Sequence, residues 1–248
     1  MTSYHLHNKT FLVTGASSGI GRQIAIHISE MGGTVIATGR SDSKLTDLLN
    51  SLKGLEHQLQ IVDLLNDEEL QGLIRNVPLL DGVVHCAGVV HPFPIKYVDK
   101  SKINETLRLN YETPLLLTGG LTRAKKINRG GSIVFLSSIS GQHPHKGGAL
   151  YASSKAAIEA LSKTVALENY HLGIRSNCIS PAMVKTEMFD RAEEKMSKDS
   201  MENHIKKYPL GVGKPEDVAH AAIFLLSPAA RWITGTNMVL DGGFLLGA

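Results

Sequence analysis

The stretch TGASSGIGRQIA, residues 14–25, begins at the end of the β-branched run FLVTG at 11–15 and opens an amphipathic segment. Its glycines stand where the chain must turn tightly between a strand and a helix, and they let a diphosphate approach the backbone. The amino terminus of the helix adds N–H donors and a positive dipole for the same anion. The stretch therefore predicts a dinucleotide-binding turn, and the residues expected at it are Gly15, Ser17, Ser18, Gly19, Ile20 and Gly21.

Short β-branched runs alternate with amphipathic segments along the rest of the chain. This alternation indicates βαβ units and a parallel sheet. No internal repeat, low-complexity tract or Pro/Gly/Ser-rich linker divides the sequence. We therefore expect one α/β domain over residues 1–248, with a Rossmann-type, doubly wound parallel sheet of about seven strands and helices on both faces. The predicted strands are 11–15, 34–39, 58–63, 81–88, 131–138, 174–180 and 237–243.

The segment 185–207 is the least apolar long stretch and interrupts this rhythm between two sheet elements. A charged insertion at such a place favours a mobile flap within the domain over a second domain. Its apolar members suit a substrate with an apolar body. The segment combines Met188, Phe189 and Met196 with Asp190, Arg191, Glu193, Glu194 and Lys195.

The composition limits the classes of partner. A chain of 248 residues with 42% hydrophobic and 20% charged residues can form one substantial core. The net charge is +3, but the densest basic cluster, at 123–129, has no interleaved aromatic residues, so no nucleic-acid partner is expected. The polar opening segment and the lack of an apolar run near ~18 residues predict neither a signal peptide nor a membrane span. Cys86 and Cys178 lie in strand-like segments, which argues against a disulfide framework and favours a cytoplasmic location.

The end of the second predicted strand distinguishes between two dinucleotides. An acid about 20 residues beyond the glycines binds the ribose 2′-hydroxyl of NAD, whereas an arginine there accommodates the 2′-phosphate of NADP. The strand ends ATGRSDSK, which places Arg40 at this position and adds the hydroxyls of Ser41 and Ser43. Asp42 is the alternative ribose ligand, but we expect it to cap the following helix. NADP(H) is therefore favoured over NAD(H).

Seven motifs occur in register over most of the chain: TGASSGIG at 14–21, VD at 62–63, CAG at 86–88, LNYETP at 109–114, SSISG at 137–141, YASSK at 151–155 and SPAMVKTEM at 180–188. Together they resemble the classical short-chain dehydrogenase/reductase family, over about residues 10–243. Among its members the chain looks most like the reductases of 3-oxoacyl-carrier-protein type. The resemblance implies hydride transfer between a nicotinamide and a carbonyl or secondary alcohol, a small-molecule substrate and a homotetramer.

The resemblance also implies roles for individual residues. Asp63 and Leu64 would meet the adenine, and Ala87 and Gly88 would lie behind the adenosine ribose. The segment 181–186, with Pro181, Val184 and Thr186, would hold the nicotinamide, and Lys155 would bind the nicotinamide ribose beside Tyr151. The implied catalytic tetrad is Asn110, Ser138, Tyr151 and Lys155.

The chemistry of these residue types agrees with such a reaction. Hydride delivery to a carbonyl leaves an alkoxide that needs a proton, so a general acid must stand within hydrogen-bonding distance. A phenol has a reference pKa near ~10, and we expect the ammonium of Lys155, one helical turn from Tyr151, to lower it. Ser138 would polarise the carbonyl, and Asn110 would hold a water that links Lys155 to solvent.

The sequence leaves alternatives for the serine and the asparagine of the tetrad. Ser137 competes with Ser138 for the place in the cleft, and Asn110 could simply bond back to its own helix. His143 and His145 lack a cysteine or paired acid that would complete a metal site, so no metal is predicted.

Two residues depart from the family pattern. Cys86 stands where the family usually has an asparagine that braces the strands, and we expect a structural rather than a reactive thiol. Ala182 replaces a common glycine, which is a mild change unless this residue needs a positive φ.

The quaternary structure and two rival functions are also expectations. Ala156, Ile158, Leu161 and Val165, with the tail FLLGA, could form subunit interfaces. The rivals are a non-catalytic dinucleotide-binding regulator on the same fold and an isomerase or epimerase of the extended branch of the superfamily, whose glycine spacing differs. The alternative for the cofactor is an NAD-dependent alcohol dehydrogenase.

Overall fold

The computed structural model describes residues 4–194 and 198–247, without the side chains of residues 191–193 and 198. Lys195 and Met196 of the predicted flap therefore lie outside the described residues. The strands are β1 (Thr10–Thr14), β2 (Thr34–Gly39), β3 (Gln58–Ile61), β4 (Leu80–His85), β5 (Ile127–Leu136), β6 (Arg175–Pro181) and β7 (Asn237–Leu240).

All seven strands join one sheet in the order β3-β2-β1-β4-β5-β6-β7, and every neighbouring pair is parallel. The predicted parallel α/β fold is confirmed. β5 begins four residues before the predicted start because the register shifts between Leu80 and Gly82 on its partner strand. Asn128 and Arg129 occupy this irregular part, and their polar side chains interrupt the apolar run that marks the strand.

The helices connect these strands and lie on both faces of the sheet. They are α1 (Gly19–Glu30), α2 (Asp42–Leu49), α3 (Asp67–Asn76), α4 (Lys100–Leu107), α5 (Thr113–Arg123), α6 (Ala149–Asn169), α7 (Glu187–Glu193), α8 (Lys198–Ile205) and α9 (Pro215–Leu226). In the described part of the chain, no helix is both long and apolar enough to cross a bilayer.

Each face of the sheet has its own apolar cluster. On β1, Phe11 and Val13 belong to the cluster formed with α1 and α9, whereas Leu12 belongs to the cluster formed with α3, α5 and α6. Successive side chains of a strand point to opposite faces, so β1 is buried on both sides and its three middle residues are all apolar. This double burial suits the interior position of β1, which is the third of the seven strands.

The start of α2 differs from the expectation. Ser41, not Asp42, is the N-cap, and its hydroxyl accepts a hydrogen bond from the backbone of Lys44 at 3.4 Å. Asp42 is instead the first helical residue, where its charge interacts favourably with the helix dipole. The assignment of Asp42 as the cap was therefore wrong by one residue.

The strand order reverses at β1, because β2 and β3 lie on one side of it and β4 to β7 on the other. Ligands of open α/β sheets bind in the crevice at the carboxyl ends of the strands at such a switch point. The glycine turn after β1 and residues 86–88 after β4 both lie at this place.

His85, the last residue of β4, is buried beneath this crevice. Its Nε2 lies 2.9 Å from Thr118 Oγ1, and its ring stacks on Phe135 with 4.6 Å between ring centroids. Burial lowers the pKa of His85 from 6.5 to about 3, because the charged ring would lose its hydration. The folded protein therefore keeps this histidine neutral.

We expect His85 to make the fold sensitive to mild acid. The unfolded chain binds the proton below pH 6.5 but the folded chain only near pH 3, so stability is complete above pH 6.5 and falls as pH decreases. At about pH 5 the loss amounts to about 2 kcal/mol. His85→Gln, which keeps a hydrogen bond to Thr118, should lose less stability than the unmodified protein between about pH 7.5 and pH 5 in urea unfolding. Equal losses in the two proteins would contradict this expectation.

Candidate active site

The glycine-rich turn between β1 and α1 packs against the residues that follow β4. Gly15 has a φ of +65°, and a Cβ there would lie 2.8 Å from the backbone nitrogen of Ala87. A Cβ on Gly21 would collide with the carbonyl oxygen of Gly15 and would lie 3.2 Å from Cys86 Cβ. Both positions therefore require glycine. The absence of side chains here allows the turn and the end of β4 to lie in direct contact.

The backbone donors at the start of α1 are not occupied by a side-chain cap. Ser18, the N-cap residue, is extended and makes no capping hydrogen bond, and the first turn of α1 carries no acid. By contrast, the side chains of Ser41 and Asn66 cap α2 and α3. An anion in the crevice would therefore find both N–H donors and the positive end of the helix dipole at α1.

A cleft of about 320 Å³ opens at this edge of the sheet. Twelve of the residues predicted to bind the cofactor line it: Gly15, Ser17, Ser18, Gly19, Ile20, Gly21, Arg40, Asp63, Leu64, Ala87, Gly88 and Thr186. Four others, Tyr151, Lys155, Pro181 and Val184, are not part of its lining. Leu109 and Glu187 also line the cleft, although the sequence pattern indicated no role for them, and so does Met188, which was expected in the substrate flap.

Thr14 joins the ends of β1 and β4. Its Oγ1 accepts hydrogen bonds from the backbone nitrogens of Cys86 at 3.1 Å and Ala87 at 3.2 Å. These bonds use backbone donors, so they form whatever side chain residue 86 carries. Burial raises the pKa of the Cys86 thiol to about 12, which keeps the thiol protonated. The missing asparagine therefore leaves this connection between the strands in place.

Arg40 is exposed at the cleft, after the end of β2. Nearby, Lys44 Nζ contacts Glu187 at 2.9 Å from Oε1 and 3.1 Å from Oε2. This ion pair joins α2 to α7, at the beginning of the predicted flap. Glu187 and the adjacent Met188 both line the cleft.

The segment 181–186 continues from β6 toward the cleft. The backbone nitrogen of Ala182 donates to Leu240 O at 2.9 Å, and Ala182 has no positive φ, so its methyl group is tolerated. Thr186 Oγ1 accepts from the backbone of Phe189 at 3.4 Å, at the start of α7. The Thr186 methyl would lie 3.3 Å from a Cβ on Gly19, which shows that this segment approaches the glycine turn.

The side chain of Ser138 lies close enough to the Tyr151 phenol to lower its pKa. Ser138 is buried at the end of β5, where its Oγ also accepts from Ser140 N at 3.1 Å. Ser137 points elsewhere, because its Oγ lies 3.1 Å from Lys155 O and 3.0 Å from Glu159 Oε1. Of the two adjacent serines, the structure therefore places Ser138 with the tyrosine.

Lys155 is buried one turn beyond Tyr151 on α6. Its Nζ donates to Leu136 O at 2.6 Å and lies 5.6 Å from the centroid of the Tyr151 ring. Burial lowers the pKa of Lys155 to about 8 because the ammonium loses hydration. A Cβ on Gly88 would lie 3.7 Å from Nζ, so the ammonium stands directly behind the cleft wall.

The expected effect of this ammonium on the phenol is not found. The pKa of Tyr151 is raised, chiefly by burial, and the hydrogen bond from Ser138 only partly opposes that rise. The ammonium is instead bonded to the Leu136 carbonyl. The prediction of a lowered phenol pKa was therefore wrong for this arrangement.

Asn110 lies in a π-helical turn, Arg108–Glu112, between α4 and α5. Its Oδ1 accepts from Val89 N at 2.8 Å, and its Nδ2 donates to Val89 O at 2.9 Å and to Ser154 Oγ at 3.1 Å. Such turns occur often at functional sites. Asn110 thus ties α6 to the segment after β4 and does not bond back to its own helix.

The two histidines and the predicted interface residues of α6 do not line the cleft. His143 and His145 are exposed. Ile158 and Val165, predicted at a subunit interface, are buried in the core beneath α6, because that face of the helix packs on the sheet. The prediction of a subunit interface was therefore wrong for these two residues. The large apolar side chain that α6 exposes to solvent is Leu167, which is 74% exposed.

The comparison with known proteins identifies the family. A family model described as enoyl-(acyl carrier protein) reductase matches residues 15–245. The 3-oxoacyl-(acyl-carrier-protein) reductase FabG of Rickettsia felis is 35% identical over 242 residues, which cover 97% of this chain and 98% of the relative. A tropinone reductase homolog of Arabidopsis thaliana is 30% identical over 249 residues, with 97% and 94% covered.

A solved structure of a short-chain type dehydrogenase/reductase from Mycobacterium ulcerans gives a TM-score of 0.90 at 31% identity, covering 98% of this chain and 92% of that one. The chain belongs to the short-chain dehydrogenase/reductase family. It is an oxidoreductase that acts on carbonyl or alcohol groups, similar over almost its whole length to 3-oxoacyl-(acyl-carrier-protein) reductases.

The contact between Gly21 and Gly15 can be tested by substitution. Gly21→Ala should lower the free energy of unfolding by about 1–3 kcal/mol, because the added methyl meets backbone atoms that cannot move aside. Gly72→Ala on α3 is the matched control, since its methyl would meet nothing within 4 Å and should stabilise the helix by about 0.5–1 kcal/mol. Urea unfolding of both variants measures this, and equal effects would contradict the proposed packing.

Proposed function

We propose that the protein is an NADP(H)-dependent reductase of a 3-oxoacyl thioester or a similar carbonyl substrate. One observation carries the proposal: the neighbouring side chains of Ser138 and Tyr151 stand beside a buried Lys155, directly behind the cleft that begins at the glycine turn. The relatives named as 3-oxoacyl-(acyl-carrier-protein) reductases support the substrate class.

The residues at the cleft fit a nicotinamide dinucleotide. The two glycines leave space at the turn that a Cβ would fill, and the open amino terminus of α1 suits a diphosphate. Asp63 and Leu64 would hold the adenine, Ala87 and Gly88 the adenosine ribose, and the segment 181–186 with Tyr151 and Lys155 the nicotinamide half. When bound, the nicotinamide would supply or accept the hydride.

Ser138 and Tyr151 would act on the substrate carbonyl. Because the two side chains are neighbours, a carbonyl oxygen that enters between them can accept a hydrogen bond from each hydroxyl. Ser138 would polarise the carbonyl and stabilise the developing negative charge. Tyr151 would give its proton to the resulting alkoxide, and in the opposite direction it would take the proton from an alcohol. The raised pKa of Tyr151 keeps this proton on the phenol until the alkoxide forms.

Lys155 and Asn110 would support this proton transfer. With a pKa of about 8, Lys155 is largely protonated at neutral pH and can return a proton to the site. Asn110 donates its two amide protons to Val89 O and Ser154 Oγ, and its Oδ1 accepts one hydrogen bond from Val89 N. Oδ1 therefore keeps one lone pair that can accept from a water. Such a water would connect Lys155 with solvent.

The remaining expectations are proposals of the same kind. We assign the chain one functional domain, in which 185–207 acts as a substrate flap, since Glu187 and Met188 already border the cleft. A homotetramer is supported by exposed apolar side chains such as Leu167, Tyr170 and Leu246. The free thiols of Cys86 and Cys178 suit a cytoplasmic setting.

The role of Tyr151 is tested by removing only its hydroxyl. Tyr151→Phe should reduce turnover of 3-oxobutyryl-CoA with NADPH at least about a hundredfold, because the alkoxide loses its proton donor. NADPH affinity should change little. Tyr170→Phe, at the exposed end of α6, is the matched control and should behave like the unmodified protein. Undiminished turnover in Tyr151→Phe, followed at the nicotinamide absorbance, would refute the mechanism.

The preference for NADP(H) is tested at Arg40. Arg40→Ala should raise the dissociation constant of NADPH about tenfold or more, since a charge-assisted hydrogen bond to the 2′-phosphate is lost. The dissociation constant of NADH should stay within about threefold. Arg75→Ala, an exposed arginine on α3, should affect neither. Equal weakening of both dinucleotides in Arg40→Ala would favour the alternative of an NAD-dependent dehydrogenase.

A further inference from the structure

Glu159 is a buried carboxylate on α6, one turn beyond Lys155 and 8% exposed. Taking a carboxylate out of water costs free energy unless hydrogen-bond donors replace the water. The donors here are neutral: Gln142 Nε2 at 2.8 Å, Ser137 Oγ at 3.0 Å and Ser180 Oγ at 3.3 Å. The single proton of Ser137 is shared with Lys155 O, which lies 3.1 Å away. Three segments of the chain therefore converge on one anion.

Two of these donors flank the turn that carries Ser138. Ser137 immediately precedes Ser138, and Gln142 follows the short helical turn Ile139–Gly141 that Ser138 opens. The turn lies directly on the carboxylate, because a Cβ on Gly141 would be 2.8 Å from Glu159 Oε1. Charge-assisted hydrogen bonds are about twice as strong as neutral ones, so this anchor fixes both ends of the turn.

The third donor reaches the opposite side of the site. Ser180 precedes Pro181, where the segment proposed to hold the nicotinamide begins. Its hydroxyl has one proton, and Asn237 Oδ1 lies 2.7 Å away. The buried Asn237 Nδ2 has no partner in the described part of the chain. Rotating the side-chain amide by 180° exchanges its oxygen and nitrogen, so that Nδ2 donates to Ser180 Oγ. The Ser180 proton is then free for Glu159.

We propose that Glu159 is a positioning residue for the reaction: it holds Ser138 and the start of the 181–186 segment in place against the helix that carries Tyr151 and Lys155. Glu159 does not touch the substrate in this account and acts through Ser138. The proposal rests on the proposed function, because it assigns Ser138 the task of polarising the carbonyl.

The test combines Glu159 variants with a control on the same helix. Glu159→Ala should lower kcat for NADPH-dependent reduction of 3-oxobutyryl-CoA by about tenfold to a hundredfold, as a displacement near 1 Å of a polarising group does. NADPH affinity, measured by fluorescence titration, should fall much less than kcat, since the diphosphate site at the glycine turn is untouched. Glu159→Gln keeps an acceptor for Ser137 and should restore kcat to within about threefold.

Ser162→Ala is the matched control. It removes another buried hydrogen bond of α6, between Ser162 Oγ and Ser176 Oγ at 3.0 Å, away from the site. This variant should lose stability but keep kcat. If Glu159→Ala does not fold, Gln142→Ala replaces it, because Gln142 is exposed and its loss removes one end of the anchor. Gln142→Ala should then lower kcat, and an unchanged kcat in this variant would overturn the proposal.

A double-mutant cycle separates positioning from a general loss of structure. If Glu159 acts through Ser138, Glu159→Ala should have little further effect on kcat in a Ser138→Ala background. Fully additive effects, or an unchanged kcat in Glu159→Ala, would overturn the proposal for Glu159 alone. Undiminished kcat in Ser138→Ala would overturn the proposed function itself, and the role of Glu159 with it.

Discussion

All seven strands of the sheet run in one direction, and the rest of the molecule depends on this constraint. Parallel strands bring their carboxyl ends to one edge, and the reversal of strand order at β1 opens a crevice there. The glycine turn after β1, Cys86 to Gly88 after β4 and Ser138 after β5 therefore meet, although they are far apart in sequence. The absence of side chains at Gly15 and Gly21 lets the turn pack closely on the end of β4.

The site is held together by buried polar groups, each of which has a specific partner. Lys155 bonds to the Leu136 carbonyl, Asn110 to Val89 and Ser154, and Glu159 to three neutral donors. Groups of this kind destabilise a fold unless every hydrogen bond is made, so they specify one arrangement of the surrounding segments. The buried carboxylate and the buried ammonium lie one helical turn apart, and each fixes the end of β5 from its own side. Such rigidity suits a reaction that needs a carbonyl, a hydroxyl pair and a hydride donor in one geometry.

The sequence predicted the elements better than the details of the site. Apolar runs with turn signals located the interior strands, which are buried on both faces. The edge strands β3 and β7 are less buried and were located from the alternation of strands and helices. The glycine spacing and the Tyr151 motif located the cleft and the hydroxyl pair.

Choosing Ser138 over Ser137 depended on family spacing, since adjacent residues point to opposite sides and only packing decides which side is the cleft. The phenol pKa was misjudged because burial, which a local pattern does not show, raises it. Glu159 was overlooked for the same reason: on a helix its charge looks like a surface charge until the fold buries it.

The central claim is that hydride passes between a nicotinamide and a substrate carbonyl at the Ser138 and Tyr151 hydroxyls. The most direct measurement uses NADPH that carries deuterium at both C4 positions of the nicotinamide, together with 3-oxobutyryl-CoA, and locates the label in the product by mass spectrometry and NMR. The account predicts one deuterium at the carbinol carbon of the 3-hydroxybutyryl product for each NADPH oxidised. A product without deuterium at that carbon, or NADPH that binds but is never oxidised across a panel of 3-oxoacyl thioesters and simple ketones, would contradict it.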